Sequence, residues 1–274
     1  EHIDFYKSYS NFKSKIKKYI YRQSQKDSKI FINNDDYFLS QLKKYSGNIK
    51  TFGSNSDANY SYKLINLTNK RSYFNFLIGK KILFKNLSTN LLGEHNVQNL
   101  TAVLSIIDDL GYKIKKSHIL SFRGTKRRMN ILGKLKKTIF IDDYAHHPTE
   151  IEKLINVISL YKKKNVFLII EPHRYSRLND LYGEYLSVLK NIKNLIILKT
   201  YEAGESYKKG MKNSKNLVND LNVLNNQKTK YVENYQDLFC LLDQFVTNKR
   251  ESIIISAGAG DISSQVRFFY DSRK

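Results

Sequence analysis

Apolar positions along the chain follow two different rhythms. Residues 9–24 carry Phe12, Ile16, Tyr19 and Ile20 at helical spacing, which predicts an amphipathic helix with these four on one face. Ile30-Phe31-Ile32 reads as a short strand, and Asn33-Asn34-Asp35-Asp36 as a turn that caps a following helix. Between 60 and 90 the runs shorten. Leu64-Ile65, residues 73–78 and Ile82-Leu83-Phe84 are strand-like pieces split by Thr68-Asn69-Lys70 and Gly79, the pattern of a small antiparallel patch. A helix then begins near Glu94, with Val97, Leu100, Leu104 and Ile107 on one face and Gly111 as its stop.

From residue 139 onward, strands and helices alternate. Ile139-Phe140-Ile141 is a strand, and Pro148 opens a helix with Ile151, Leu154, Ile155 and Ile158 on its apolar face. Residues 166–170 form the next strand, followed by a helix over about 178–190 and a strand over 195–198. Lys230-Tyr231-Val232 leads into a helix through Leu238, Leu242 and Phe245. Ile253-Ile254-Ile255 is the last strand, and Gly258-Ala259-Gly260 turns into a terminal helix. Continuous apolar strands between amphipathic helices imply α/β architecture with a mainly parallel sheet covered on both faces. Gly124, a basic cluster and Gly133 mark the change of rhythm near 125–133, so the chain is expected to form two domains, 1–127 and 128–274.

Length and composition support two cores. The 274 residues, 41% of them hydrophobic, exceed most single compact domains. No run approaches the ~18 apolar residues of a membrane helix, so no membrane insertion is expected. No signal peptide is legible, and the single cysteine, Cys240, excludes an internal disulfide framework and fits a reducing, cytoplasmic compartment. Cys240 lies in the apolar run Leu238-Phe239-Cys240-Leu241-Leu242 and is expected to be buried. The formal charge of +22 raises the question of a nucleic-acid partner. The lysines are spread along the whole chain, however, and Lys, Asn, Ile and Tyr are all abundant while Pro and Trp are scarce. That pattern points to compositional drift, with attraction to anionic small molecules as the remainder, and no nucleic-acid partner is expected.

In open α/β sheets ligands gather at the carboxyl ends of strands. The unusual residues of the second half fall there. Asp142-Asp143-Tyr144-Ala145-His146-His147-Pro148 follows a strand and opens a helix, whose N-terminus favours anions. The carboxylates suit a ribose diol or a cation, and a histidine handles protons or anchors a carboxylate. Equally, Asp143 and His147 suit plain capping of free N–H groups. Pro172-His173-Arg174-Tyr175-Ser176-Arg177 sets two arginines three residues apart, a fork for carboxylate or phosphate or a solvated pair. Arg123-Gly124-Thr125-Lys126-Arg127-Arg128 is a phosphate clamp or a solvated face. Glu94-His95-Asn96-Val97-Gln98-Asn99 opens a helix, with Asn96 and Asn99 spaced to read a base edge or to cap it. Gly258-Ala259-Gly260 permits a tight strand-to-helix turn and by itself implies nothing more.

Taken together, residues 142–150 (continuing through Thr149-Glu150) and 172–177 resemble the signature blocks of Mur-type amide ligases. Within that family they are most similar to the group that joins L-alanine to UDP-N-acetylmuramate. The other pieces agree in order: His95-Asn96-Val97-Gln98-Asn99, Phe122-Arg123-Gly124-Thr125-Lys126-Arg127-Arg128, Tyr201-Glu202-Ala203-Gly204-Glu205 and Gly258-Ala259-Gly260-Asp261-Ile262. The opening Glu1-His2-Ile3-Asp4-Phe5-Tyr6 is similar to the family's central-domain segment after its magnesium-binding glutamate, so the resemblance covers essentially the whole chain.

The resemblance implies the remainder of a central ATP-binding domain over 1–127 and a C-terminal Rossmann-like domain over 128–274. It implies ATP and Mg2+ as cofactors, with UDP-N-acetylmuramate and L-alanine as substrates of peptidoglycan precursor synthesis. Asn96 and Asn99 match residues that contact adenine, Arg128 an arginine that reaches the ATP phosphates, and Asp143 a ribose-binding aspartate. Tyr144, His146, Arg174 and Arg177 match residues around the incoming L-alanine and the reacting carboxylate, with His146 and Arg128 as the catalytic pair. His2 matches a magnesium ligand.

Several features depart from the family pattern. No Gly-x-x-x-x-Gly-Lys-Ser/Thr loop occurs in the 274 residues, nor does the glutamate that would share the metal with His2, and Met129 stands where an aromatic is usual. These departures mark the chain as an expected fragment, inactive alone, that needs an N-terminal part of the same enzyme. The rival readings are a murein tripeptide recycling ligase, whose second block resembles Pro-Arg-Ser-Asn rather than Pro172-His173-Arg174-Tyr175, a basic nucleic-acid-binding module, and a non-catalytic remnant.

Overall fold

Two sheets organise the protein, one in each of the compact units formed by residues 1–123 and 124–274. The division precedes Gly124, so Arg127 and Arg128 both belong to the second unit. The computed structural model describes residues 3–26, 28–161, 165–225, 228–248 and 250–274, and His2 lies outside them.

In the first unit, α1 (Ile3–Tyr6) and α2 (Tyr9–Ser24) precede β1 (Ile30–Asn33) and α3 (Tyr37–Ser40). Ser8 caps α2 through the Asn11 N–H, and Asp36 caps α3 through the Leu39 N–H, so the acidic turn does cap the helix that follows it. Ile16 and Ile20 pack toward Ile32, Leu42 and Ile49. Tyr19 is instead 62% exposed. The core-facing stripe is narrow, and a residue three positions after Ile16 falls just outside it.

The remaining strands are β2 (Ile49–Gly53), β3 (Tyr60–Leu67), β4 (Ser72–Ile78) and β5 (Lys81–Thr89). Their order is β1-β2-β3-β4-β5; the first three run parallel and the last two continue as antiparallel hairpins, the patch expected from the sequence. Helix α4 (Glu94–Asp109) lays Val97 and Leu104 onto Tyr60, Tyr62, Phe74, Phe76 and Leu87, and Ile119 of α5 (Lys116–Ser121) completes this cluster. Gly111 has φ 77, the left-handed backbone that ends a helix cheaply only at glycine. Phe74 is wholly buried there. We expect Phe74→Ala to destabilise this unit by about 3–5 kcal/mol in urea titration, because the ring's transfer energy is lost and the sheet cannot close the cavity.

The second unit starts with a strand that the apolar pattern does not announce. β6 (Asn130–Leu135) runs antiparallel to β7 (Thr138–Asp143) as the sheet's edge. Gly133, expected to mark a boundary, is instead at a bulge in β6, and Tyr270 fills the space where its Cβ would sit. The chain continues through α6 (Pro148–Ile158), β8 (Asn165–Glu171), α7 (Tyr175–Asp180), α8 (Tyr182–Leu189), β9 (Leu195–Leu198), α9 (Ser214–Asn225), β10 (Lys230–Val232), α10 (Tyr235–Thr247), β11 (Ser252–Gly258) and α11 (Ile262–Asp271). The helix expected over 178–190 is thus two helices, broken at Leu181. Cys240 lies on the exposed side of α10, contrary to its expected burial, because Leu238 and Leu242 take the inward positions.

Strand order in this sheet is β10-β9-β8-β11-β7-β6, all parallel except β6. The last strand in sequence therefore lies between β7 and β8, with Ala257 opposite both Asp143 and Ile170. The chain leaves β8 toward one edge and returns to β11, so the carboxyl ends of β7, β8 and β11 meet where the connections diverge. A crevice opens at such a switch point. Phe140, Ile169, Ile254, Leu238, Val266 and Phe269 form the core that fixes this geometry.

Candidate functional site

The loop after β7 is held by its own acid. Asp143 accepts the N–H groups of Met129 and Ala145, each at 2.8 Å, so one buried carboxylate ties the loop before β6 to the start of the next loop. Pro148 begins α6, and His147 is its cap, with Nδ1 accepting from the Thr149 N–H at 3.3 Å. The plain reading of the alternative is present, with Asp143 and His147 satisfying free N–H groups, and the loop also ends at a helix N-terminus.

His146 is buried in this loop. Its Nδ1 lies 2.9 Å from the Tyr144 carbonyl and 3.4 Å from Glu150, and the Tyr185 hydroxyl donates to its own carbonyl. Tyr144 stands edge-on to the His146 ring at 5.1 Å. Arg127 and Arg128 both approach the Tyr144 ring, at 4.5 and 5.6 Å, a cation–π arrangement. The two arginines then part. Arg127 donates to the Gly258 carbonyl at 2.7 Å and clamps the β11–α11 turn, whereas Arg128 is exposed and holds Glu150 at 3.3 Å.

The block after β8 faces this loop. The His173 ring lies 5.8 Å from His146 and stacks on Tyr201 at 5.5 Å, and its Nδ1 is 3.2 Å from the buried guanidinium of Arg177. Arg174 is the cap residue of α7, with φ 71 and ψ 136, a strained backbone for a non-glycine residue. Its amide donates to the Tyr201 carbonyl at 2.8 Å, and its guanidinium approaches Glu205 at 3.8 Å. Glu205 in turn takes the Ser176 N–H at 2.9 Å and the Ser176 hydroxyl at 2.5 Å, capping α7 from outside. Tyr201 also lines an open cleft of about 400 Å³ with Glu202, Glu233, Asn234 and Tyr235.

Three carboxyls are buried beneath the crevice. Burial pushes Asp142, Asp143 and Glu171 above the ordinary carboxylate range; Ser263 draws Asp142 back, backbone N–H groups draw Asp143 back, and Tyr235 and the Ile262 N–H draw Glu171 back. For Asp142, one carboxylate oxygen accepts from Ser263 at 2.6 Å while the other is buried without a hydrogen-bond partner among the described residues. Its folded value lies above the ordinary 3.8, so the folded state holds this proton where the unfolded state has lost it. Its contribution to stability therefore rises as pH falls through the raised folded value toward 3.8. Asp142→Asn, which keeps an acceptor for Ser263, is expected to stabilise the unit near neutral pH and to lose that advantage on acidification. Urea midpoints of both proteins at about pH 7 and about pH 5 check this; equal pH slopes would count against it.

The structure thus brings Arg128, Tyr144, His146 and the block bearing Arg174 and Arg177 around one strand-end crevice, over Asp143. Asn96 and Asn99 belong to the other unit, near the start of α4, where the Asn96 amide donates to the Leu92 carbonyl at 2.8 Å and Asn99 is exposed. Four residues that the sequence named only within blocks, with no role of their own, also build the site, namely Glu150, His173, Tyr201 and Glu205, and so does Tyr185, which it did not name. Glu150 had a legible signal, since an acid three positions after a capping residue completes a capping box. Tyr185 had none. Among the described residues, no three His, Cys, Asp or Glu side chains converge as a metal site, and no helix is long and apolar enough to cross a membrane.

Two family models match the chain: the Mur ligase middle domain over residues 1–107 and the Mur ligase glutamate ligase domain over residues 127–260. It is 35% identical to the UDP-N-acetylmuramate–L-alanine ligase of Pelagibacter ubique, over 97% of this chain and 59% of that protein. To the enzyme of the same name from Aquifex aeolicus it is 30% identical, over 96% of this chain and 56% of that protein. The chain thus spans less than two thirds of the length of these curated relatives. Among solved structures, the UDP-N-acetylmuramate-alanine ligase of Thermotoga maritima matches all of the chain and 58% of its own, with TM-score 0.76 and 23% identity. The MurF ligase of Thermotoga maritima in complex with ADP matches 99% of this chain and 59% of its own, with TM-score 0.71 and 12% identity.

Proposed function

Since the chain belongs to the Mur ligase family, as the two domain models together show, we propose that it forms the amino-acid end of an ATP-dependent ligase that joins L-alanine to UDP-N-acetylmuramate through an acyl phosphate. One observation carries this reading: His146, His173 and Arg177 form a continuous chain of contacts across the β7 and β8 strand ends, with Tyr144 on His146 and Arg174 as the cap residue of the helix that bears Arg177. That arrangement supplies a guanidinium fork for an amino acid's carboxylate and an imidazole for its amine.

The groups present suit ATP. Asp143 gives each carboxylate oxygen to one N–H and keeps further acceptor capacity for a ribose hydroxyl. Arg128 is exposed, and its contacts to Glu150 and the Tyr144 ring are weak and releasable, so its guanidinium can turn to phosphate oxygens. Asn96 and Asn99 would meet the adenine. Bound ATP would supply the phosphoryl group that turns a poor electrophile, a carboxylate, into a reactive acyl phosphate. Mg2+ would take His2 as one ligand and oxygen donors, the ATP phosphates among them, as the rest.

The chain's own residues do the rest. Arg174 and Arg177 hold the alanine carboxylate and lower the cost of the negative charge that develops on the tetrahedral intermediate. His146 removes a proton from the alanine ammonium, and the freed nitrogen lone pair forms the C–N bond of the tetrahedral intermediate; this collapses as the C–O bond breaks, phosphate leaving with that electron pair and taking up the second N–H proton. The test is phosphate release from ATP by this chain mixed with the N-terminal part of a relative that carries a phosphate-binding loop. Release that requires both UDP-N-acetylmuramate and L-alanine supports the reading. Folded, associated pieces that release none sink it.

A further inference from the structure

Glu150 joins two groups that the proposed reaction uses. One of its oxygens accepts the backbone N–H of His146 at 3.1 Å and of His147 at 3.3 Å, and lies 3.4 Å from the His146 Nδ1. The other holds the Arg128 guanidinium at 3.3 Å. Helix capping explains the backbone contacts alone. It does not explain why the same carboxylate sits against an imidazole nitrogen and an arginine.

The imidazole geometry is informative. Nδ1 lies 2.9 Å from a carbonyl and 3.4 Å from a carboxylate, and neither donates a proton. Nδ1 must therefore carry the hydrogen in the neutral ring, which makes Nε2 the nitrogen with the lone pair. When Nε2 takes the ammonium proton, one N–H bond of the amine breaks, one Nε2–H bond forms, and the ring becomes a cation. An anion beside the opposite nitrogen stabilises that cation and keeps the ring from turning over. Groups packed around the ring include His173, whose ring lies 5.8 Å away, and Tyr144, edge-on at 5.1 Å, while Tyr185 donates to the His146 backbone carbonyl.

We infer that Glu150 is a positioning residue: together with the Tyr144 carbonyl its negative charge fixes His146 as the Nδ1–H tautomer and supports the protonated ring, while it parks Arg128 beside the site through a releasable contact. This rests on the alanine-ligase reading for its consequence, though its geometric core is independent of it.

Glu150→Gln separates charge from capping, because the amide oxygen still accepts from the His146 and His147 backbones. In the complemented ligase the variant is expected to keep the thermal midpoint of the parent, to lose at least about tenfold in kcat, and to leave KM for ATP equal or lower, since Arg128 is no longer held. A Glu150→Gln enzyme with parental kcat overturns the inference, whatever Glu150→Ala does to folding. Nitrogen NMR of the imidazoles in this chain alone, with His146 assigned by its loss in His146→Gln, provides the second reading. The Nδ1–H tautomer is expected, with a resonance that moves in Glu150→Gln; an Nε2–H ring in the parent overturns the inference. If the parental mixture releases no phosphate, the ligase reading fails while the tautomer result still decides the role of Glu150.

Discussion

Replacing Arg174 by alanine is expected to lower kcat/KM for L-alanine by about two orders of magnitude or more in the complemented ligase, with little loss of stability. Truncating a charge that pairs with a desolvated carboxylate typically removes roughly 2–5 kcal/mol, and each 1.4 kcal/mol or so is a tenfold change. The structure says why the effect should be local. Arg174 caps α7 by its backbone alone, and Glu205 caps the same helix through the Ser176 N–H and hydroxyl, so removing the guanidinium costs its 3.8 Å approach to Glu205 and leaves the cap in place. KM for ATP should change little. Arg174→Lys should fall between the two, since an ammonium restores the charge but not the two-pronged geometry. Unchanged turnover in Arg174→Ala would mean that the alanine carboxylate is held elsewhere, with Arg177 the next residue to change.

Gly260→Ala is expected to destabilise the second unit by about 3 kcal/mol, at the upper end of overpacking effects. A Cβ there would come within 2.3 Å of a Glu171 oxygen and 2.6 Å of the Tyr201 ring. Neither neighbour is free to swing aside. Glu171 accepts from the Ile262 N–H and the Tyr235 hydroxyl, and Tyr201 is stacked on His173. A shift at Tyr201 passes through His173 to Arg177, so alanine binding should weaken along with the fold. Gly204→Ala is the natural contrast: its Cβ would meet open space, and its φ of 81 costs only about 1 kcal/mol. Equal urea midpoints for the two variants would show that the β11–α11 turn relaxes where its packing says it should not.

The parts of the fold that were legible in the sequence are those where burial leaves one solution. β7, β8, β9 and β11 are covered on both faces, so their apolar runs are continuous. The parts that were not legible have mixed or contextual signals. β6 is an edge strand with Ile131 62% exposed, which dilutes its pattern. α9 has Leu217, Val218 and Leu221 buried, but its asparagines read as loop. The break at Leu181 has no residue that demands it.

The site was legible as clusters but not as partnerships. Arg127 and Arg128 are identical neighbours in sequence. Only the fold assigns one to a backbone clamp on Gly258 and the other to an exposed contact with Glu150. Likewise Tyr185 reaches the His146 carbonyl from an ordinary apolar helix, and nothing local distinguishes it from a core tyrosine.

The placement of β11 also bears on how the protein is made. β7 and β8 are not neighbours in the sheet; each pairs with β11, the one of the eleven described strands that leaves the ribosome after the other ten. Until it arrives, the nascent second unit has two separate half-sheets with open inner edges, of the kind that invites pairing with other chains. Long-range closure of this sort is slow, and the strand-end crevice comes into being in the same step as the core. For this unit, then, the interval before β11 docks is when chaperone protection matters most, and quality control that senses an open β edge would also be sensing the absence of the site.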